Sequence, residues 1–393
     1  MKILCVVQRF NPAIGGSEKA IEKTLDRLSN NHKIMVFTTN SLELNSFWDP
    51  KAKKVGSVDN KKYEVKRFEI VTPSQIDRKM YDFIFPISVP GPFCPQMWEE
   101  LANIESSSYD LIIATAYPYD HIIPAYLSSK RTKIPIITIP YLHLEYPELY
   151  LTGLRLAILN DSDAIVVSTT IEKNILLKYK IEEKKIKVIP PGLDLEFWNG
   201  GKKSERKGLG ISENSIMILF AGTKSSAKGT INLIEALKDL WNSNTDIELV
   251  LIGQSMPDYE TYFKKLETKF LSHIHDLGVI SEDFKKNIFY DCDIFAMPSK
   301  SDSFGIVYLE AWVCSKPVIG CSIPAINEVI TDGVDGILVD FEDKDQLVQA
   351  IKKLIQDQNL RQHLGNMGKN KVLQKYNAGL LHQTFESLCE SLV

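Results

Sequence analysis

Two α/β domains with parallel sheets are what this sequence predicts, and three observations predict them. Strand-length apolar runs recur at residues 3–7, 110–115, 134–139, 216–221 and 248–252. They lack the alternation of a half-exposed strand and suit parallel strands covered on both faces. Between them lie stretches with helical spacing, such as Ala20, Ile21, Leu25 and Leu28, so the chain reads strand, loop, helix, strand. The third observation is size: 393 residues suggest two or three domains.

Composition narrows the class. With 44% hydrophobic and 24% charged residues the chain can bury substantial cores, and a net charge of −4 gives no global reason to expect nucleic acid as a partner. Six scattered cysteines, Cys5, Cys94, Cys292, Cys314, Cys321 and Cys389, have no metal-ligand spacing and read as buried free thiols in a reducing compartment. The opening MKILCVVQRF is strand-length, too short for a signal peptide, and no run approaches a membrane span of about 20 residues. A cytoplasmic protein is expected, with room for peripheral contact at the inner face of the cell membrane.

The stretch 297–328 organises the rest. An apolar strand through Ala296 enters a polar loop, and from Gly305 the positions Ile306, Leu309, Ala311 and Val313 allow a helix that Lys316–Pro317 ends. Amides of Phe304, Gly305, Ile306 and Val307, after Ser303, would point from the helix N-terminus, where the dipole favours an anion such as a diphosphate. Glu310, about one turn in, could accept hydrogen bonds from a vicinal diol. A nucleotide sugar offers both groups.

Asp302, seven residues and Glu310, with Phe304–Gly305 inside and Lys316–Pro317–Val318–Ile319 behind, resemble the EX7E signature of retaining GT-B glycosyltransferases of family 4. The resemblance implies that Glu310 binds the nucleotide ribose and that Asp302, one methylene shorter than the usual Glu, lies by the transferred sugar. It implies further that the Gly15–Gly16 loop after the first strand approaches the donor phosphates. His143, or else Tyr141, would lie next to the sugar, with His121 a weaker candidate. In the loop 222–229 the family carries Arg and then Lys for the leaving diphosphate. Lys228 matches the Lys, while Thr223 stands in the Arg position and neighbouring Lys224 could supply the charge. That loop falls short of a P-loop, because Ala227 and Gly229 replace the second glycine and the Ser/Thr.

Other signals are weaker. Asp161–Ser162–Asp163 imitates a metal-binding DxD but precedes a strand, and His273–Ile274–His275 lacks a third ligand and reads as solvent-facing or capping. Residues 77–100, rich in aromatics and proline, read as satellite core or as part of an acceptor site.

The expected fold is GT-B: two doubly wound Rossmann-like domains facing across a cleft, residues 1–195 and 211–372, with a polar linker at 196–210 and a terminal helix, 373–393, crossing back to the first. The expected activity is metal-independent, retaining transfer from a UDP- or GDP-sugar to the hydroxyl of a glycan, a lipid-linked acceptor or a small molecule, with no cofactor beyond the donor. Asp302, His143 and Lys228 would be catalytic. Departures at Thr223 and Asp302 also fit a silent nucleotide-sugar-binding module, and a sugar-nucleotide epimerase is a further enzyme alternative.

Overall fold

The computed structural model describes residues 1–393 except 14, 44–46, 48–51, 53, 57–61, 72–90, 152, 203–204 and 244–245. The chain divides into two compact units: Met1–Pro190 together with Leu380–Val393, and Pro191–Gly379.

Among the described residues the first unit carries seven strands: β1 (Lys2–Val7), β2 (Lys33–Thr39), β3 (Glu64–Phe68), β4 (Leu111–Thr115), β5 (Ile136–Ile139), β6 (Ala164–Val167) and β7 (Ile186–Val188). They pair in parallel in the order β3-β2-β1-β4-β5-β6-β7, with Leu4 of β1 opposite Met35 on one side and Ile112 on the other. The apolar runs have a simple cause. Leu4 and Val6 enter one core, while Ile3, Cys5 and Val7 enter another on the opposite face, so both faces of β1 are covered. The helix Gly16–Leu28 adds Ile21, Leu25 and Leu28 to the second of these cores.

The helix Ala378–Glu390 adds Phe385, Leu388 and Cys389 to that same core, and Glu386 accepts a hydrogen bond from Asn31 at 2.9 Å. Leu380, expected on the buried stripe, is exposed, because the helix turns its Phe385–Leu388–Cys389 face inward. Of the proline-rich segment 77–100, residues 77–90 lie outside the described residues. From Gly91 onward it is core: Cys94, Met97 and Leu101 are buried in the first unit.

The second unit holds β8 (Ile216–Ala221), β9 (Ile247–Ile252), β10 (Ile274–Gly278), β11 (Ile294–Met297), β12 (Val318–Cys321) and β13 (Ile337–Val339), parallel in the order β10-β9-β8-β11-β12-β13. The direction of winding reverses between β8 and β11, as it does between β1 and β4. In open α/β sheets ligands gather outside the carboxyl ends of strands at such a switch.

The described residues of 196–210 fall in this unit. Trp198 is buried with its ring edge-on to Phe289 at 5.5 Å, and the Arg206 guanidinium donates to the carbonyls of Ser215 and Asp291 and pairs with Asp293 at 2.5 Å. The division falls earlier, between Pro190 and Pro191. One apolar anchor inside a polar stretch outweighs that stretch's loop-like composition. All six cysteines are free and buried. Among the described residues, no helix is long and apolar enough to cross a membrane.

Candidate functional site

The site in the second unit forms where the loops after β8 and β11 meet. Gly229 takes φ +77°, and a Cβ there would lie 2.0 Å from the carbonyl oxygen of Pro298, so only glycine lets the two loops close. The Lys300 amide then donates to Ala227 O at 2.8 Å. This contact brings Lys228 beside Asp302: the ammonium donates to Asp302 Oδ2 at 2.9 Å and to Ser301 O at 2.8 Å.

Gly305, at φ +80°, turns the chain into the helix Ile306–Val313. Asp302 Oδ1 accepts from the amides of Phe304 at 3.2 Å and Gly305 at 2.9 Å. Two of the four amides expected to face a diphosphate are therefore engaged by the chain's own carboxylate, which a short Asp two and three residues upstream can reach. The amides of Ile306 and Val307 belong to the first turn and have no partner within the helix. Ser303 and Asp302 are half-buried, whereas Phe304 is buried with its ring edge-on to Tyr376 at 5.5 Å and offers the site only backbone.

From Tyr308 to Val313 this helix is buried, with Tyr308 Oη donating to Met297 O at 2.7 Å and Trp312 Nε1 to Asp335 O at 2.8 Å. Glu310 is held inside this anchored helix at 4% exposure. Its Oε1 accepts from the Lys285 ammonium at 2.6 Å. Its Oε2 is buried with no hydrogen-bond partner among the described residues. An unsatisfied buried acceptor costs about 1–3 kcal/mol, so a donor group arriving there recovers that cost.

Sequence reasoning missed Lys285. It lies on the helix Glu282–Asp291, next to Lys286, and only the fold separates the two: Lys286 reaches the Phe197 carbonyl while Lys285 reaches Glu310. Burial works against the Lys285 ammonium, but the carboxylates of Glu310 and Glu282 outweigh it and raise its pKa. The ammonium is thereby kept charged and neutralises one oxygen of Glu310.

Lys224, expected to supply the charge of the family's Arg, is already paired within its own unit. At 1% exposure its ammonium is paired with Asp276, which also accepts from Tyr259 Oη at 2.8 Å, and it lies 5.2 Å from the Tyr259 ring centroid. Backbone bonds to Gln254 and Met256 fix the residue as a bridge to the loop after β9, which turns its side chain inward. Thr223 is exposed beside it.

The first unit carries Gly15, Gly16 and His143 at the carboxyl edge of its own sheet. Gly15 makes room for a side chain of the same unit: a Cβ there would lie 2.1 Å from Glu18 Oε2. Buried Glu18 accepts from Arg9 Nη2 at 2.6 Å and Gln8 Nε2 at 3.2 Å, and Gln8 Oε1 accepts from the Ala116 amide at 3.2 Å. At Gly16 the space a Cβ would take is open to 4 Å. His143, half-buried, follows β5 with its ring centroid 5.9 Å from that of Tyr150. Its loop is anchored one residue earlier, where Leu142 N donates to Glu172 Oε1 at 2.9 Å. Tyr141 packs against the core, and His121 is a core histidine whose Nε2 donates to Thr115 O at 2.5 Å, with burial pushing its pKa down to about 4.

The two decoys resolve locally. Asp161 accepts from Tyr126 Oη at 2.8 Å and Asp163 from the Ile136 amide at 2.9 Å. His273 and His275 are not simply solvent-facing: both bond Glu248 of the adjacent strand, at 3.3 and 2.7 Å.

Two parallel Rossmann-like sheets, one with a lysine, a helix mouth and a buried unsatisfied carboxylate at its switch point, define the GT-B class of sugar-nucleotide-dependent folds. The chain matches the family Glycosyltransferase Family 4 over residues 14–197 and Glycosyl transferases group 1 over residues 201–371, and it belongs to that family. It is 28% identical to a D-inositol 3-phosphate glycosyltransferase of Stackebrandtia nassauensis over 52% of this chain and 48% of that one. Against an uncharacterized glycosyltransferase of Methanocaldococcus jannaschii it is 25% identical over 100% of this chain and 99% of the relative. The chain thus spans about half the length of several curated relatives that it matches. In fold it is similar to Anabaena HepE, crystallised in complex with UDP and glucose, at a TM-score of 0.76 and 19% identity with both chains covered at 100%.

Proposed function

We propose that this protein transfers a sugar from a nucleoside-diphosphate sugar to an acceptor hydroxyl with retention at the anomeric carbon. The single observation that carries the reading is Glu310: a buried carboxylate with one oxygen neutralised by Lys285 and the other lacking a partner among the described residues. A ribose diol supplies two donors to such an oxygen, and family membership supports a nucleotide sugar as the molecule that brings it. Among the neighbours, the UDP and glucose complex of HepE supports a UDP-sugar donor.

Lys228 and the amides of Ile306 and Val307 then oppose the charge that develops on the leaving diphosphate. Fixed positive groups of this kind commonly contribute about 3–4 kcal/mol to a transition state, and they offer a route that calls on no divalent cation. The acceptor hydroxyl belongs to a glycan, a lipid-linked carrier or a small molecule, and the buried thiols support a cytoplasmic setting.

A second reading has its own observation. With Lys224 committed to Asp276 and Thr223 in place of the family's Arg, the diphosphate meets one lysine at this loop, which favours a nucleotide-sugar-binding module with little turnover. The test mixes the purified protein with UDP- and GDP-sugars and follows free nucleotide. Slow donor hydrolysis, accelerated by an acceptor, is the expected result. Nucleotide binding with no turnover under any acceptor would favour the silent module, and release of an altered free sugar would favour an epimerase.

A further inference from the structure

Asp302 satisfies the site in two directions at once: Oδ2 accepts from the Lys228 ammonium at 2.9 Å, and Oδ1 accepts from the amides of Phe304 and Gly305 at 3.2 and 2.9 Å. An ammonium and a helix mouth are what a phosphoryl group would engage. Resting on the reading above, we propose that the Asp302 carboxylate is a counter-anion that competes with the donor diphosphate for Lys228 and thereby limits nucleotide affinity, acting as a positioning residue.

The geometry separates its two jobs. Oδ1 is a neutral-compatible acceptor at the helix start, where Asn serves as well as Asp. Oδ2 is the oxygen that faces Lys228. Lys228 has a second acceptor in Ser301 O at 2.8 Å, so its ammonium stays in place when the carboxylate charge is removed. Like charge sets the direction: a phosphate approaching Lys228 approaches Asp302 as well, and each added phosphate charge feels the repulsion more. Product diphosphate is then expelled by the same charge that orients the lysine for the next donor.

Asp302→Asn tests this without removing the turn at the helix start. Titrations of uridine, UMP and UDP (or guanosine, GMP and GDP, whichever series the wild type binds) are compared in the two proteins. The expected result is a graded change: unchanged affinity for the nucleoside, a few-fold tighter monophosphate and roughly tenfold tighter diphosphate, with kcat lower in the variant as product release slows. Asp302→Ala, which also removes the acceptor for the two amides, shows the same grading with a lower Tm. A diphosphate bound no more tightly by Asp302→Asn than by the wild type, or a change equal for nucleoside and diphosphate, overturns the inference while leaving the proposed function intact. A wild-type protein that binds neither UDP nor GDP overturns both.

Discussion

The carboxyl edges of the two sheets are built from similar loops but hold their buried glutamates differently. At the β1/β4 edge Arg9 and Gln8 meet Glu18 and Gln8 meets the Ala116 amide, while Arg9 Nε and Thr115 Oγ1 are buried without a partner among the described residues; farther along, after β5 and β6, Glu172 gathers the amides of Leu142, Ser168 and Thr169. At the β8/β11 edge Lys228 and Asp302 remain half-buried, and Glu310 keeps one oxygen without a partner among the described residues. The same winding reversal therefore carries a fully bonded carboxylate, Glu18, in one unit and a partly open one, Glu310, in the other. What distinguishes the two is the buried glutamate: Glu18 and Glu172 have both carboxylate oxygens bonded, whereas Glu310 has one without a partner among the described residues.

Substitutions can break that contrast. The largest effect is expected at the β8/β11 edge: Lys228→Ala should lower transfer by about 10²–10³-fold, as measured by initial rates at saturating donor, because the developing diphosphate charge loses its cation. An unchanged rate would strip the second edge of its catalytic role. Next comes Lys285→Ala, which leaves the Glu310 carboxylate buried and unpaired. A loss of about 3 kcal/mol in denaturant titrations is expected, with most of it recovered in Lys285→Ala/Glu310→Ala.

The first unit is probed by pH. Burial pushes the Glu172 carboxyl up from 4.5 to about 7, against the amide and hydroxyl bonds that hold its charge. The folded state thus binds this proton more tightly than the unfolded chain does. Its contribution is fully present below about pH 4.5 and is lost as pH rises through about 7. His121, pushed down to about 4, acts in the opposite sense over an overlapping range, so the comparison must be with Glu172→Gln and not with the raw profile. Between pH 4.5 and 7 the wild type should lose up to about 3 kcal/mol relative to that variant, seen as converging or crossing Tm curves. Parallel curves would show that the anchor of the His143 loop does not titrate there. The smallest expected effect is His143→Ala: a several-fold drop in transfer with nucleotide affinity within about twofold, read from separate kinetic and binding titrations.

Much of this architecture was legible in the residues. Continuous apolar runs announce parallel strands because both faces of β1 must be covered, and the spacing of Asp302, Gly305 and Glu310 announces a loop feeding a helix. What stayed hidden depended on which way a side chain turns. Lys224 and Lys228 look equally available in a loop, yet backbone bonding across to the loop after β9 draws Lys224 inward to Asp276. Lys285 and Lys286 are adjacent and chemically identical, and only the packing of their helix assigns one to Glu310. In the expected linker the same holds: its glycines and charges outnumber Trp198, but the indole is buried against Phe289 of the second unit.

In the proposed function the unsatisfied oxygen of Glu310 receives a ribose diol. The most direct test of that contact is the affinity of the wild type and of Glu310→Ala for UDP and for 2′,3′-dideoxy-UDP, or for the guanine pair if that base is preferred. Loss of two hydrogen bonds to a charged acceptor predicts roughly 100-fold weaker binding of the dideoxy compound to the wild type, and equal, weak binding of both compounds to the variant. Equal affinity of the wild type for the two compounds would rule that contact out.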